Sequence, residues 1–302
     1  MLINKLRYLL PFMVAITLSC NKSDTNTSIT TPTSPSTPTT DDAVVIEVDP
    51  TNFIAAGLTE SITKVSQTLA DGSTVMCYRI VSNNTPSDHA QGPWCPTNIN
   101  DGIDKGGIWF EAGKLYDVDG PFIKNLATFY SNTTWKLYNS TTGAINVTDT
   151  KAACEAAARP NVDPLYKNYC VQCLPSYFPG IKKIYYIPVK PVKSNNTTPI
   201  MGMGGVVGIA FNGINFDPPA PTQAILGAYT LAPFDDAGGH VNGATGYHYH
   251  AATGKSTKIK QTDAHAAMIG YAMDGYGLFE NLDEAGKEST DLDASRGHYD
   301  ST

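Results

Sequence analysis

The residues best suited to chemistry are two histidines that alternate with two tyrosines in the run Tyr247-His248-Tyr249-His250. On a β-strand, alternate side chains share a face, so both imidazoles would point one way, with Cα atoms about 6.5 Å apart, and both tyrosines the other. Imidazoles at that spacing can bind one ion, with nitrogens about 2.0–2.1 Å from a zinc ion. The run therefore predicts part of a metal site on one face of a strand.

Further candidate ligands lie on both sides of this run. The segment from Asp235 to His240 supplies two carboxylates and an imidazole, and Gly238-Gly239 would let it turn tightly. Its pattern, Asp-x-x-x-Gly-His, recurs from Asp293 to His298. Imidazoles with a carboxylate suit Zn, Fe, Mn or Cu better than Ca or Mg, so we expect a divalent transition metal. The predicted site residues are His240, His248, His250, His265 and His298 as ligands, with Asp235 and Asp274 as acid/base residues.

The same residues have plainer interpretations. An aromatic strand can carry histidines whose rings only satisfy hydrogen bonds, and its tyrosines can be core or sheet-face residues. His89, the one histidine in the first half of the chain, is expected in a surface loop, or else as a further ligand folded back over the site. Met201 and Met203 are expected to pack rather than to bind Cu(I).

The histidine-rich part of the chain resembles the YHYH-domain proteins. The resemblance is carried by Gly239-His240, Tyr247–His250, His265, Ile269–Tyr276 and Gly297-His298. It is close over 199–302 and extends less specifically over 77–199. In that family a second YHYH-like element follows the second Gly-His pair, whereas this sequence ends four residues after that pair. The resemblance implies an exported protein, a truncated C-terminus and no particular reaction.

The first 20 residues have the features of a bacterial lipoprotein signal peptide. Lys5 and Arg7 precede an apolar run, 8–18, that is too short to span a bilayer, and Cys20 follows small residues. This order predicts a signal peptide, and the cysteine resembles that of a lipobox, where it would carry the lipid anchor. Residues 21–43, nearly all Ser, Thr, Asn, Pro and Asp, cannot bury enough apolar surface to fold. We expect a disordered tether and a lipid-anchored envelope protein facing the periplasm or the cell surface, with a plain secretory signal as the alternative.

The remaining cysteines predict disulfide bonds, because an exported protein meets an oxidising compartment. Their number is odd, so one thiol lacks a partner within the chain. The single Cys-x-x-Cys pair cannot form a four-sulfur zinc site, and its flanks do not resemble a redox motif. The disulfide candidates are Cys77, Cys95, Cys154, Cys170 and Cys173, with Cys77 paired to Cys95, and Cys154 paired to Cys170 or Cys173.

Composition predicts a body that is mainly β with a few short helices. Only 16% of the 302 residues are charged, against about 25% in typical domains, and Thr, Asn, Gly and Pro favour strands and loops. We expect a sheet or sandwich-like body over 44–302, divided into 44–198 and 199–302. The predicted elements are strands at 44–48, 75–81 and 135–138, an edge strand within 182–192, hairpins turning at Ala112-Gly113, Asn212-Gly213 and Asp274-Gly275, and a helix over 151–159.

Several function classes are excluded and three remain. The net charge of -7 and the lack of a basic stripe argue against nucleic-acid binding. The sequence has no run of about 20 apolar residues outside the N-terminus, which argues against a polytopic membrane protein. The first remaining class is an exported metal-dependent enzyme, with a hydrolase of unknown substrate as the candidate activity. The second is a non-catalytic metal-binding protein, and the third is a surface adhesin or carbohydrate-binding module.

Overall fold

The computed structural model describes residues 45–193, 205–261, 265–293 and 296–298. The predicted signal peptide, the predicted lipidation site Cys20 and the predicted tether lie outside this part of the chain, as do Met201 and Met203. The described body is rich in β-structure with few short helices, which confirms the predicted fold class. Its strands are β1 Thr63–Thr68, β2 Thr74–Ser82, β3 Ile108–Glu111, β4 Lys114–Asp117, β5 Lys183–Pro188, β6 Gly208–Ala210, β7 Asn215–Phe216, β8 Gly239–Asn242, β9 Gly246–Tyr249, β10 Met268–Ala272 and β11 Gly277–Phe279.

The strands form three sheets. One has the order β1-β2-β5, the second has the order β11-β10-β6-β7-β9-β8, and β3 pairs with β4. Pairing is antiparallel except between β7 and β9, where Phe216 lies opposite Tyr249. Side chains of the first two sheets meet in one buried cluster that includes Ile80, Ile187 and Phe211. The two sheets therefore share a core, as in a sandwich, and β8 and β9 lie at one side of the larger sheet.

The helices are α1 Gly120–Phe129, α2 Lys151–Ala157 and α3 Thr222–Gly227. The predicted helix over 151–159 is confirmed as α2, which begins after Thr150, whose side chain accepts a hydrogen bond from the Ala153 N–H. Within the described residues, no helix has the length and apolar character that crossing a membrane requires.

Turn chemistry was predicted more accurately than isolated strands. All three predicted hairpins are confirmed, with Gly113, Gly213 and Gly275 at positive φ. The edge strand predicted within 182–192 is confirmed as β5, which pairs only with β2 in its sheet. The strands predicted at 44–48 and 135–138 were wrong. Residues 45–48 make one backbone hydrogen bond to a neighbouring segment, and residues 135–138 pair with 145–146 only through an isolated bridge and one backbone hydrogen bond. The Val48 N–H donates to the Val189 carbonyl, but Pro50, two residues later, has no N–H to continue a ladder.

The structure contains two disulfides, Cys95–Cys170 and Cys154–Cys173, and a buried free thiol at Cys77. The second pairing and the expectation of one unpaired thiol are confirmed. The predicted Cys77–Cys95 pair was wrong, because Cys77 lies inside β2 with neighbours on both sides, whereas Cys95 packs in a separate core cluster beside Trp109 and Cys170. Both disulfides attach to the short segment 170–173 and tie it to 95 and to α2.

Candidate metal centre

Strand pairing brings the predicted histidines onto one sheet face. In the β8–β9 hairpin, His240 lies directly opposite His248, and opposite residues of an antiparallel pair share a face. His250 follows two residues later on the same side, and its N–H donates to the Gly238 carbonyl, which extends the hairpin pairing. The alternation predicted from the sequence is confirmed and extended across two strands.

The three imidazoles form a nearly equilateral triangle. Their ring centroids are 4.7, 5.0 and 4.8 Å apart for the pairs 240–248, 240–250 and 248–250. Each ring stands steeply to the other two, at interplanar angles of 69–89°. One nitrogen from each of His240, His248 and His250 lies within 4.8 Å of the others. This arrangement fits three ligands that bind one ion from the same side.

Hydrogen bonds orient two of these rings so that their lone pairs converge. Nδ1 of His248 lies 2.9 Å from the Gly246 carbonyl, and Nδ1 of His250 lies 2.6 Å from the Pro218 carbonyl. A carbonyl only accepts, so each Nδ1 carries the proton and each neutral ring presents a lone pair at Nε2. The two Nε2 atoms are 3.1 Å apart. With metal–nitrogen bonds of about 2.05 Å, that separation corresponds to an angle of about 100° at the ion.

The environment keeps these rings neutral. Burial lowers the pKa of His248 to about 4 and, together with the neighbouring His248, lowers that of His250 to about 4. Burial and the two neighbouring imidazoles also hold the pKa of His240 well below its ordinary value. Neutral imidazole is the form that binds a metal. Two facing lone pairs without a proton between them repel each other, and a bound cation would relieve that repulsion.

The histidine triangle opens into a cavity of about 180 Å³. Its walls are mainly apolar and include Trp94, Ile225 and Pro221. Besides the neutral histidines, the cavity is lined by two residues with ionisable side chains, Arg159 and Asp217. An Asp217 carboxylate oxygen is 3.7 Å from Nε2 of His248. Burial raises the pKa of Asp217, although the neighbouring His250 opposes the shift. The centre therefore has three nitrogens, an adjacent carboxylate and access to a small apolar space.

Local sequence explains how the hairpin holds this geometry. The Asn242 side chain accepts hydrogen bonds from the N–H groups of residues 244 and 245 and so closes the turn. Gly246 has φ of +71° and lies so close to Asn84 that a Cβ there would come 1.9 Å from the amide oxygen. The Asn84 amide donates to the Tyr247 carbonyl at 2.8 Å and accepts from the Tyr247 N–H at 2.9 Å. These paired bonds anchor the first residue of the motif.

The Asp235 carboxylate organises the loop before His240 and does not line the cavity. It accepts hydrogen bonds from the N–H groups of Gly92 and Gly239 at 3.0 Å and from the Tyr247 hydroxyl at 2.8 Å. Asp235 is only 1% exposed, and burial raises its pKa even though these bonds oppose the shift. These contacts give Asp235 a structural role in the loop, and the acid/base role stays a prediction.

The remaining predicted site residues lie elsewhere. Asp274 is exposed in the β10–β11 turn, where its carboxylate accepts from the Tyr276 N–H, and it does not line the cavity. His265 and His298 pair with each other at 5.3 Å between ring centroids. Among the described residues, the group of convergent ligands contains neither of them. The five predicted ligands thus divide into a group of three and a separate pair, because only the β8–β9 register aligns imidazoles on one face.

The tyrosines of the motif form the opposite face. Tyr247 and Tyr249 are 2% and 1% exposed, which confirms them as core residues. His89 packs against both rings, with centroids 6.2 and 6.0 Å away. His89 lies in a loop, but its side chain is only 12% exposed and lies behind the strand, and it is not one of the three convergent histidines.

Sequence reasoning missed Asp217 and Asn84. Asp217 directly follows β7, the second strand of the hairpin that was predicted at Asn212-Gly213. A carboxylate at the end of a predicted strand was the signal that could have identified it. Asn84 is 163 residues from Tyr247, which it clamps, and no local pattern reveals such a contact.

Comparison with known proteins gives one match. Residues 184–301 match the family model described as YHYH protein, and no curated protein and no solved structure matches the chain. The matched segment contains all three clustered histidines, the cavity carboxylate and both motif tyrosines, whereas Asn84 and His89 precede it. The histidine-rich part of this chain, residues 184–301, therefore matches the YHYH family model, as the sequence resemblance indicated.

Proposed function

We propose that the protein uses His240, His248 and His250 to bind one divalent transition-metal ion and that the centre is hydrolytic. The observation that carries this proposal is the convergence of three neutral imidazoles, two of them with facing Nε2 atoms 3.1 Å apart. Three imidazoles on one ion suit zinc, and also copper, iron or manganese with a further carboxylate.

The open side of the triangle favours catalysis over storage. Structural zinc sites are closed by four protein ligands, whereas catalytic sites keep one position for water or substrate. Here three ligands converge, and the cavity supplies the open side. A metal ion in such a site lowers the pKa of a coordinated water toward about 7. The motif tyrosines do not support a surface adhesin or carbohydrate-binding module, because both side chains are buried and cannot form an exposed binding patch.

Asp217 is the proposed general base. Its carboxylate lies beside the triangle, and its raised pKa makes it a better proton acceptor than an ordinary aspartate. The cavity limits what a substrate can bury there. At about 180 Å³, it slightly exceeds the ~150 Å³ that accommodates benzene, so the group bound beside the metal is a short aliphatic chain or a single ring.

The test is metal analysis by mass spectrometry on the purified full-length chain. We expect about one transition-metal ion per wild-type chain and its loss from His248→Ala combined with His250→Ala. His298→Ala is the matched control, because it removes a histidine outside the triangle and should keep the ion. Asp217→Asn should keep the ion but lose most hydrolysis of short-chain nitrophenyl esters.

Three results would contradict the proposal in different ways. A wild-type chain without metal removes the whole proposal. Metal that is retained by the double variant but lost from His298→Ala moves the centre to the other histidine pair. Metal that is bound stoichiometrically with no ester hydrolysis supports the non-catalytic metal-binding protein instead.

We further propose that the protein is a lipid-anchored protein of the bacterial cell envelope. The support is the signal-like order of the first 20 residues and the polar segment that follows. Two disulfides in the body fit an oxidising compartment. Anchoring through Cys20 would leave the metal centre facing the periplasm or the cell surface.

A further inference from the structure

The reverse face of β9 carries a second ordered group of side chains. Tyr247 and Tyr249 point away from the histidine triangle, with ring centroids 5.5 Å apart. Nε2 of His89 lies 3.2 Å from the Tyr247 hydroxyl and 3.3 Å from the Tyr249 hydroxyl. Nδ1 of His89 lies 2.7 Å from a carboxylate oxygen of Asp88. The pair Asp88-His89 therefore reaches both motif tyrosines from a loop outside the YHYH segment.

One arrangement of protons accounts for the contacts of Tyr249. The Asn212 amide donates to the Tyr249 hydroxyl oxygen at 2.8 Å and to Asp88 at 2.9 Å. The Tyr249 proton is then left to donate to Nε2 of His89, whose Nδ1–H donates to Asp88. Tyr247 donates to Asp235 instead, so in this arrangement its 3.2 Å approach to Nε2 of His89 is a contact without a hydrogen bond.

The Asp88 carboxylate is itself fixed from a third direction. Its second oxygen accepts from the Thr257 N–H at 2.7 Å, and its side chain is only 13% exposed. Hydrogen bonds from Asn212 and Thr257 lower the pKa of Asp88 against the opposing effect of burial. The ionised carboxylate thus holds the His89 ring between the β6–β7 turn and the segment at 257.

The two faces of a short strand are mechanically linked. Successive side chains leave the backbone in opposite directions, so a rotation that moves Tyr249 inward moves His248 and His250 with it. Groups that orient ligands affect metal affinity by about 10–100-fold when they are removed. A hydroxyl held by His89 on one face therefore restrains the direction of the imidazoles on the other.

We propose that Asp88 and His89 are positioning residues of the three-histidine centre, acting through Tyr249 across β9. This inference rests on the proposed metal centre. It explains why the motif alternates tyrosine with histidine: the histidines face the ion, while one tyrosine hydroxyl binds the pair that sets their angle and the other binds Asp235.

The test measures Co²⁺ affinity and the visible spectrum of the Co²⁺ form on the full-length chain, because that spectrum reports coordination geometry. We expect Tyr249→Phe and His89→Ala to bind Co²⁺ about tenfold more weakly and to change the spectrum. His89→Gln, whose amide oxygen can accept the Tyr249 proton, should recover most of the affinity. Tyr271→Phe is the matched control, since this buried β10 hydroxyl accepts from the Asp49 N–H and the Asn52 amide away from the centre.

The outcomes separate the inference from the metal proposal. The inference would be overturned if Tyr249→Phe and His89→Ala bind Co²⁺ with the wild-type affinity and spectrum while their Tm falls as in Tyr271→Phe. That result would show that Asp88, His89 and Tyr249 are only structural. A wild-type chain that binds no Co²⁺ would remove the metal centre itself, and the inference with it. Tyr249→Phe keeps the ring, so its result can be interpreted even if His89→Ala fails to fold.

Discussion

Replacing Asp235 by asparagine distinguishes a structural carboxylate from a catalytic one. One oxygen accepts from the N–H groups of Ala237 and Gly239, and the other accepts from the Gly92 N–H and the Tyr247 hydroxyl. In Asp235→Asn, an NH₂ group replaces one of these oxygens. If it takes the second position, Tyr247 can rotate its proton and accept, but the Gly92 N–H then faces another donor.

The size of the effect follows from these contacts. A buried donor without an acceptor costs about 1–3 kcal/mol, and the remaining bonds lose the strengthening that a charged acceptor gives. Burial of the carboxylate opposes this loss, because it raises the pKa of Asp235 and disfavours the charge that asparagine removes. We expect Asp235→Asn to lower the free energy of unfolding by about 2 kcal/mol, or roughly 4–8 °C in Tm for a body of this size.

The assay is urea denaturation of the metal-free chain followed by tryptophan fluorescence. Asp236→Asn is the control, because this neighbouring side chain is exposed and its loss should change the free energy of unfolding by less than about 0.5 kcal/mol. A catalytic Asp235 would predict the opposite result, in which Asp235→Asn is as stable as the wild type and only activity is lost. That result would refute the structural role assigned to this carboxylate.

Two further predictions concern covalent features. Replacing Cys95 and Cys170 by serines should lower the free energy of unfolding by about 4–5 kcal/mol, because their disulfide closes a loop of 75 residues. The same change at Cys154 and Cys173 should lower it by about 3 kcal/mol, because that loop has 19 residues. Urea denaturation measures both losses, and a larger loss for the second pair would contradict the loop-entropy reasoning. Cys20→Ser should release the protein from the membrane fraction of a bacterial host into the soluble fraction, as followed by sedimentation and immunoblotting, and continued sedimentation with membranes would argue against the lipid anchor.

The local features of the fold could be predicted because short-range physics sets them. An Asn-Gly pair favours a tight turn whatever surrounds it, so the β6–β7 hairpin was foreseeable, and Thr150 before an alanine-rich run favours the start of α2. The alternation of the motif gave the face that its histidines share. The predictions of strands at 44–48 and 135–138 were wrong because the composition of a segment does not indicate whether a partner strand is available.

The sequence could not select which histidines meet. Five imidazoles near the carboxyl end looked equivalent, but only His240 has the register to lie opposite His248. His265 and His298 also carry plausible spacing, and they pair with each other instead. Register is a property of strand pairing, which depends on the loop that joins the strands and on what packs against both faces.

The β-rich character of the body, its hairpin turns and the two-faced motif follow from local residue patterns, because they depend on backbone preferences and on a period of two residues. Three features follow only from the folded arrangement: three histidines converge, Asp217 is the carboxylate beside them, and Asn84 and His89 support the strand from outside the YHYH segment. The physical reason for the histidines and Asp217 is strand register and sheet pairing, which local residue patterns do not specify. Asn84 and His89 reach the motif from 163 and 158 positions away, and such contacts form only when distant parts of the chain pack together.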